Sequence, residues 1–555
     1  MVDLLAFLPP SEFGGGPFSG FGGPGNDVWG WTDPVTGKEW AILGRADGTS
    51  FIDISSPTAP VLVADLPRHM TNALWSDVKV YADHAFIVKE GTGNGMQVFD
   101  LTRLRDIDAS GGHVTVEADA HYGRFGNSHN VAINEDTGFA YAVGTTGAVP
   151  GQQPFVVTID PPSSAAGSYQ AAGANFGPDP SGAISGDVVL AEDGTGNNEG
   201  CQPFVGFPAG SIALVDRGTC GFVVKAANAQ AAGAIALIVA NNVAGAPFTM
   251  GGNDPSITIP SVMISMDDGA TIKAGLPATA SFDVNPNANP CTTGLHMVDI
   301  RDPLNPTFAG CYSEQGSTHD VQCVIYEGPD TRYQGREICF ASNGGPDTLV
   351  VADVTDKSNP VTLSVTFEGE PNTFSHQGWL TEDHRYFLHN DESDNMLSQA
   401  PGRTRTRVFD VSDLENVSVQ AVHHSETRAS AHNNYVDGRY VFTTNYMDGL
   451  RIVDTTRIDH PGDEVAPETP ELLDHQGLIE IGCFDTDPVR NDVPGFGGSW
   501  SNYPYFESGN VVVSGFDGLF VVKPKLGSRN PNPGGQPRTT GNPHTYGCLP
   551  WGTSG

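Results

Sequence analysis

Basic residues are scarce: 28 Lys and Arg stand against 65 Asp and Glu, a formal net charge of −37. Phosphate backbones and anionic membrane surfaces would be repelled, so nucleic-acid binding is not expected. Two readings of the acidity stay open, solubility in salty surroundings and capture of hard cations by carboxylates. No run of 18 apolar residues occurs, so no membrane span is expected. Residues 1–10 lack a basic n-region and a cleavage motif, so no signal peptide is read there. None of the eight cysteines forms a CxxC pair. Also missing are a Gly-x-Ser-x-Gly elbow, a His-Glu-x-x-His pair and a phosphate loop, and no nucleotide cofactor is expected.

Gly (68) and Pro (41) are abundant, together about a fifth of the chain. Without a collagen-like period, this suits many short strands joined by turns. A repeat confirms that direction. Gly48-Thr-Ser-Phe-Ile-Asp53 recurs as Gly95-Met-Gln-Val-Phe-Asp100, Gly294-Leu-His-Met-Val-Asp299, Thr348-Leu-Val-Val-Ala-Asp353, Thr406-Arg-Val-Phe-Asp410, Gly449-Leu-Arg-Ile-Val-Asp454 and Gly518-Leu-Phe-Val-Val-Lys523. Each copy reads as a turn followed by a half-buried strand. A β-rich run precedes each copy, and a further strand precedes that, beginning near Asp27, Trp75, His129, His319, His376, His432 and Trp500. Fourth strands are read near residues 61, 114, 307, 361, 418 and 478. The period of about 50 residues is that of a propeller blade. Seven units give a mainly β chain, a seven-bladed β-propeller. Val2-Asp-Leu-Leu-Ala-Phe-Leu8 supplies the strand missing from the seventh blade and closes the ring.

The period breaks once, inside blade three. The expected organisation is residues 1–145 for blades one to three, 146–290 for an inserted small α/β domain, 291–525 for the remaining propeller, and 526–555 for a Gly/Pro-rich tail. Residues 14–25, also glycine-rich, precede no helix and read as a flexible crossing segment. Within the insert, Gly210-Ser-Ile-Ala-Leu-Val-Asp-Arg-Gly-Thr-Cys-Gly-Phe222 leads into the Ala-rich Lys225-Ala-Ala-Asn-Ala-Gln-Ala-Ala-Gly-Ala234, then Ile235-Ala-Leu-Ile-Val239 and Ile259-Pro-Ser-Val-Met-Ile264. That order is strand, helix, strand, turn, strand.

The pattern Asp216-Arg-Gly-x-Cys-x-Phe222, Lys225, Ala-Gly-Ala234 and Asn241, over about 180–285, resembles a protease-associated (PA) domain. The resemblance implies a compact, non-catalytic module that contacts substrates or partners or acts as a lid, and a disulfide between Cys201 and Cys220. The propeller segments, among them Gly294-Leu-His-Met-Val-Asp-Ile300, Thr318-His-Asp-Val-Gln-Cys-Val-Ile-Tyr326 and Ser375-His-Gln-Gly-Trp-Leu380, resemble the LVIVD-repeat, choice-of-anchor B proteins of bacterial surfaces. That family brings no established activity.

An even cysteine count with pairs 15 to 20 residues apart suits disulfides in an oxidising compartment, and an extracellular or cell-surface location. Neighbours in sequence suggest Cys201–Cys220, Cys291–Cys311, Cys323–Cys339 and Cys483–Cys548, among about 105 arrangements open to eight cysteines.

His129, His319, His376 and His432 fall at one equivalent position in four successive blades, where blade two carries Asp77. First strands line the channel, so these side chains converge at one mouth. The second strands end at the same face and bring Glu90, Asp391 and Glu392 there. Imidazoles with carboxylates suit Zn, Cu, Mn or Fe, and the Asp391-Glu-Ser-Asp394 cluster suits Ca. The competing reading is structural, each histidine bonding the neighbouring blade. His384 and His389 read as surface or core residues, and His423 and His424 as solvated on an outer strand. The insert leaves from the strand two-to-three loop and is expected to overhang the histidine mouth. Three functions follow: a binding scaffold for a protein, peptide or glycan; a metal-dependent hydrolase or oxidase; or a surface-layer or matrix component. Oligomeric state is open.

Overall fold

In a computed structural model, seven antiparallel sheets form the propeller, and the inserted residues form a closed barrel. The structure describes residues 2–13, 25–146, 153–180, 184–285, 288–289, 291, 293–367, 373–397, 402–425, 427–459, 477–490, 493–527 and 549–550. Residues 14–24 of the glycine-rich crossing segment and nearly all of the C-terminal tail lie outside them. The chain divides into two compact units, Met1–Gly147 with Cys291–Gly555, and Ala148–Pro290.

The innermost strands of the seven blades are Gly25–Thr32, Ser76–Tyr81, Asn130–Asn134, Thr318–Ile325, Ser375–Leu380, Asn434–Asp437 and Ser499–Tyr503. Each packs beside the next, and the last beside the first. Val2–Leu8 pairs antiparallel with Gly518–Pro524, so the N-terminus completes the seventh blade. This removes the open edges of a broken ring.

The repeated Asp explains why each third strand stops. Asp53, Asp100, Asp299, Asp353, Asp410 and Asp454 each accept the backbone N–H two residues on, at 2.9 to 3.1 Å. That bond turns the chain out of the sheet. The residues two before the Asp, such as Phe51, Met297, Val351 and Ile452, are buried between blades.

One strand differs from the sequence reading. Val114–Thr115 pairs in parallel with Val61–Pro67 of blade one. Blade two takes Ala120–Tyr122 as its fourth strand. Two short 3-10 turns, Leu101–Asp106 and Ala109–Gly111, carry the chain back to the neighbouring blade first.

A cycle of side-chain hydrogen bonds joins the blades, at or beside the inner strands except where Ser514 of the second strand Val511–Gly515 links blade seven to blade one. Ser514 Oγ donates to the Asn26 carbonyl (2.6 Å), and Asn26 Oδ1 accepts from the Ser76 amide (2.9 Å). Asp77 Oδ2 accepts from the Val131 amide (2.8 Å), and Asn130 Nδ2 donates to the His319 carbonyl (3.3 Å). Gln322 Oε1 accepts from Leu380 (2.7 Å), Gln377 Oε1 from Asn434 (2.8 Å), and Asn433 Nδ2 donates to Ser501 Oγ (3.1 Å). Every interface between blades is crossed. Each such bond contributes only about 1 kcal/mol net, but its direction fixes where adjacent blades meet.

Carboxylates crowd this layer. Lys79 Nζ lies 2.6 Å from Asp77 and 3.7 Å from Asp27, and 4.6 Å above the Trp29 ring. Asp320, Gln377, Trp379 and Tyr435 line the same channel cavity. Burial, and next the Asp77 carboxylate, raise Asp320 from 3.8 to about 7. Asp27 is pushed well above the carboxylate range by the same two causes.

Seven cysteines lie among the described residues, and none is free. Cys201–Cys220, Cys291–Cys311 and Cys323–Cys339 are bonded to each other, and Cys483 is also disulfide-bonded. Cys548 lies outside the described residues.

The insert is a seven-stranded closed barrel, with Phe222–Ala231 and Met266–Ala274 as its helices. Its parallel core, Ile212–Asp216, Ala236–Ala240 and Ser261–Ile264, is apolar on both faces, as a covered parallel sheet must be.

Two outcomes follow. Leu8 is 3% exposed and packs with Val28, Leu519 and Val521. Leu8→Ala is expected to lower unfolding stability by about 2–5 kcal/mol. Denaturant titration checks this, and an unchanged midpoint would refute closure by this strand. For Asp320, a raised folded pKa means that the folded chain holds more protons than the unfolded one between about pH 4 and 7. Its contribution to stability therefore falls as pH rises through that window. Asp320→Asn should flatten the loss between about pH 4 and 7 in urea titrations; an unaltered slope would contradict the assignment.

Candidate functional site

Beta-bulges deliver the histidines to the mouth. Pairing skips from Thr318 to Asp320 in blade four, and from Ser375 to Gln377 in blade five. His319 and His376 are therefore the extra residues, turned out of the ladder; Trp500 holds the same place in blade seven. Bulges re-aim a side chain in this way. At blade three, Gly144 takes φ +60°, and a Cβ there would lie 2.6 Å from the His129 Cβ, so glycine makes room for the ring.

The four imidazoles form a stair. Centroids are 4.3 Å apart for His129–His319, 4.4 Å for His319–His376 and 4.3 Å for His376–His432. Trp500 continues it, 4.3 Å beyond His432. Successive ring planes turn by 52°, 43°, 51° and 50°. One-seventh of a turn is about 51°, so each ring simply rides on its blade.

Their bonding is not alike. His319 Nδ1 meets the His376 carbonyl at 3.1 Å, and His432 Nδ1 meets the Trp500 carbonyl at 2.5 Å. Both are bonds to the neighbouring blade; as donors they fix the tautomer and leave Nε2 as an acceptor. His129 Nδ1 pairs with Glu90 Oε1 at 2.6 Å. Burial would lower His129, but the Glu90 hydrogen bond and charge outweigh it and leave it raised. His376 has no such brace: it is 1% exposed and its Nδ1 has no hydrogen-bond partner. Its Nε2 lies 4.0 Å from Glu392 Oε1. Burial, followed by the other imidazoles, holds His376 well below 6.5, and burial takes His432 to about 3. Both are neutral at physiological pH.

His376, Glu392 and His432 each bring one ligand atom within 4.8 Å of the others. Tyr446 donates its hydroxyl to Glu392 Oε1. The Tyr446 and Trp500 rings flank His432, with Phe516 behind Trp500. Sequence reasoning did not single out Tyr446 or Trp500, although Trp500 sits where the other blades carry histidine.

The other candidates go elsewhere. Asp77 serves Lys79 and the Val131 amide. Asp391 accepts the amides of Phe374 (2.9 Å) and Ser393 (2.8 Å) and braces its own loop. Asp394 meets Arg407 at 3.2 Å. The carboxylates of residues 391–394 thus diverge and do not form one calcium cup. His389 is buried in its strand, 3.1 Å from Ser375 Oγ. His384 lies in its turn at φ +52°, its Nδ1 accepting the Glu327 amide. His423 is 3% exposed, so it is not solvated: the alternation of its strand points it inward and His424 outward.

In the insert, the motif residues serve the barrel itself. Arg217 Nη1 donates to Asn241 Oδ1 (2.9 Å), Asp216 pairs with Lys273, and Lys225 Nζ donates to the Glu199 carbonyl. A Cβ on Gly218 would lie 2.1 Å from the Glu199 carboxyl carbon, so a side chain there would displace the carboxylate that accepts the Thr219 amide. Cys201–Cys220 ties the same corner.

Residues 184–272 match the PA domain family model. Arabidopsis thaliana vacuolar-sorting receptor 7 is 39% identical over 117 residues, 18% of each chain. An aminopeptidase of Pseudomonas aeruginosa is 39% identical over 182 residues, 30% of each chain. Among solved structures, a zinc aminopeptidase from Bacillus subtilis matches at 25% identity and a TM-score of 0.19, over 26% of this chain and 32% of that one. The chain thus spans less than a third of the length of these relatives. The chain is a seven-bladed β-propeller that carries a PA domain.

Proposed function

We propose that the chain is an extracellular or cell-surface recognition protein, with the propeller as a rigid scaffold and the PA insert as the module that binds a protein, peptide or glycan. One observation carries this reading. The polar residues of the insert's motif, Asp216, Arg217, Lys225 and Asn241, are engaged within the barrel. They stabilise a binding module and leave its surface to do the work. That surface carries the 41%-exposed Phe248, with Phe222 at 6.1 Å and the Arg217 guanidinium at 5.0 Å. PA-domain proteins similar to this chain include those named vacuolar-sorting receptor and aminopeptidase. The disulfides fit an oxidising compartment, and the resemblance of the blades to LVIVD-repeat, choice-of-anchor B surface proteins agrees.

A second reading, a metal-dependent extracellular hydrolase or oxidase, is favoured by the grouping of His376, Glu392 and His432. A matrix role, resting on acidity alone, is the reading left if the chain takes neither ligand nor metal.

Selection from a peptide and glycan array tests the first reading. The whole chain should retain ligands that a chain with Ala148–Pro290 replaced by a short Gly/Ser linker loses. Equal retention by both, or none by the whole chain, would refute it.

A further inference from the structure

We propose that the propeller mouth holds one borderline divalent transition ion, of the Zn²⁺ class, through His376, His432 and Glu392, whatever the insert recognises. The grouping is within reach of one ion. Ligands at about 2.0–2.2 Å from a tetrahedral metal stand roughly 3.3–3.6 Å apart, so atoms now within 4.8 Å need to close by at most about 1.5 Å. Two imidazole nitrogens and one carboxylate oxygen suit zinc, cobalt or copper rather than calcium.

The surroundings are those of ligands held ready. His432 is oriented through Nδ1 by the Trp500 carbonyl, the usual outer bond of a ligating histidine, which turns Nε2 to the mouth. Glu392 is oriented by the Tyr446 hydroxyl. His376 is the telling residue. It is 1% exposed, its Nδ1 makes no bond to a neighbouring blade, and its Nε2 lies 4.0 Å from Glu392 Oε1. Its Nε2, the nitrogen on the side of Glu392, is therefore not spent on holding a neighbouring blade and is open to an ion. His319, in contrast, spends Nδ1 on the blade beside it and falls outside the grouping. His129 is committed to Glu90. The symmetry of the stair therefore breaks at His376, where a purely structural ring would have continued it.

Three protein ligands leave a coordination position for water or a ligand atom, as in open zinc sites. The Tyr446, Trp500 and Phe516 rings shield one side, which strengthens binding of an anionic or carbonyl oxygen at that position.

The test uses the full chain, stripped with a chelator and titrated with Co²⁺ and Zn²⁺ by visible absorption and calorimetry. One equivalent of Co²⁺ is expected, with d–d bands of a low-coordinate site, displaced by Zn²⁺. Glu392→Gln and His376→Ala, each removing a direct ligand, should weaken binding by at least about 10- to 100-fold, the loss usual for an outer-shell partner. His319→Ala, from the same stair, should change it by less than about threefold. Glu392 is largely buried, but Glu392→Gln keeps its size and its bond to Tyr446, so it serves as the second variant if His376→Ala does not fold, and melting curves read that separately. No stoichiometric binding by the folded chain, or equal losses in His319→Ala and Glu392→Gln, would overturn the site. Neither result touches ligand capture by the insert.

Discussion

Side-chain hydrogen bonds running once around the channel, from blade to blade, set the geometry of everything else. Apolar burial between sheets makes the blades associate, but it is non-directional and would tolerate a range of blade angles. The polar cycle from Asn26 through Asp77, Asn130, Gln322, Gln377 and Asn433 to Ser514 is directional. It fixes adjacent sheets at one-seventh of a turn. The rotation reappears in the imidazole planes one layer above. Charge follows the same logic. Lys79 stands on the axis side of its strand because Asp27 and Asp77 flank it from two blades.

The mouth inherits this order and departs from it in one place. Bulges put a ring into the channel from each of several blades, so position alone makes the histidines equivalent. Their hydrogen bonds then make them unequal. His319 and His432 lean on the next blade, His129 on Glu90, and His376 on nothing. Structure and chemistry separate here. Bonds through Nδ1 tie His319 and His432 to the next blade, while the proposed site draws on His432, Glu392 and the unbraced His376.

Much of this was legible in the sequence. The closing strand could be read because Val2–Leu8 repeats the alternation of Val61–Pro67, and the histidine positions because each opens a period. The fourth strand of blade two was not. Val114 and Thr115 are β-branched and sit at the right spacing, yet the 3-10 turns before them lead to blade one. Asp391 and Glu392 look interchangeable in sequence. A turn of the chain sends the first to backbone amides and only the second to the mouth. The unequal bonding of the four histidines has no sequence signal at all, since partners such as the Trp500 carbonyl belong to the backbone.

The central claim is that blade geometry gathers His376, Glu392 and His432 around a single point. Anomalous diffraction from crystals of the full chain, grown with Zn²⁺ and recorded on either side of its absorption edge, tests it most directly. The account requires one peak between those three side chains, with the His432 Nδ1 still on the Trp500 carbonyl. A peak elsewhere on the propeller, or an empty mouth at saturating zinc, would contradict it.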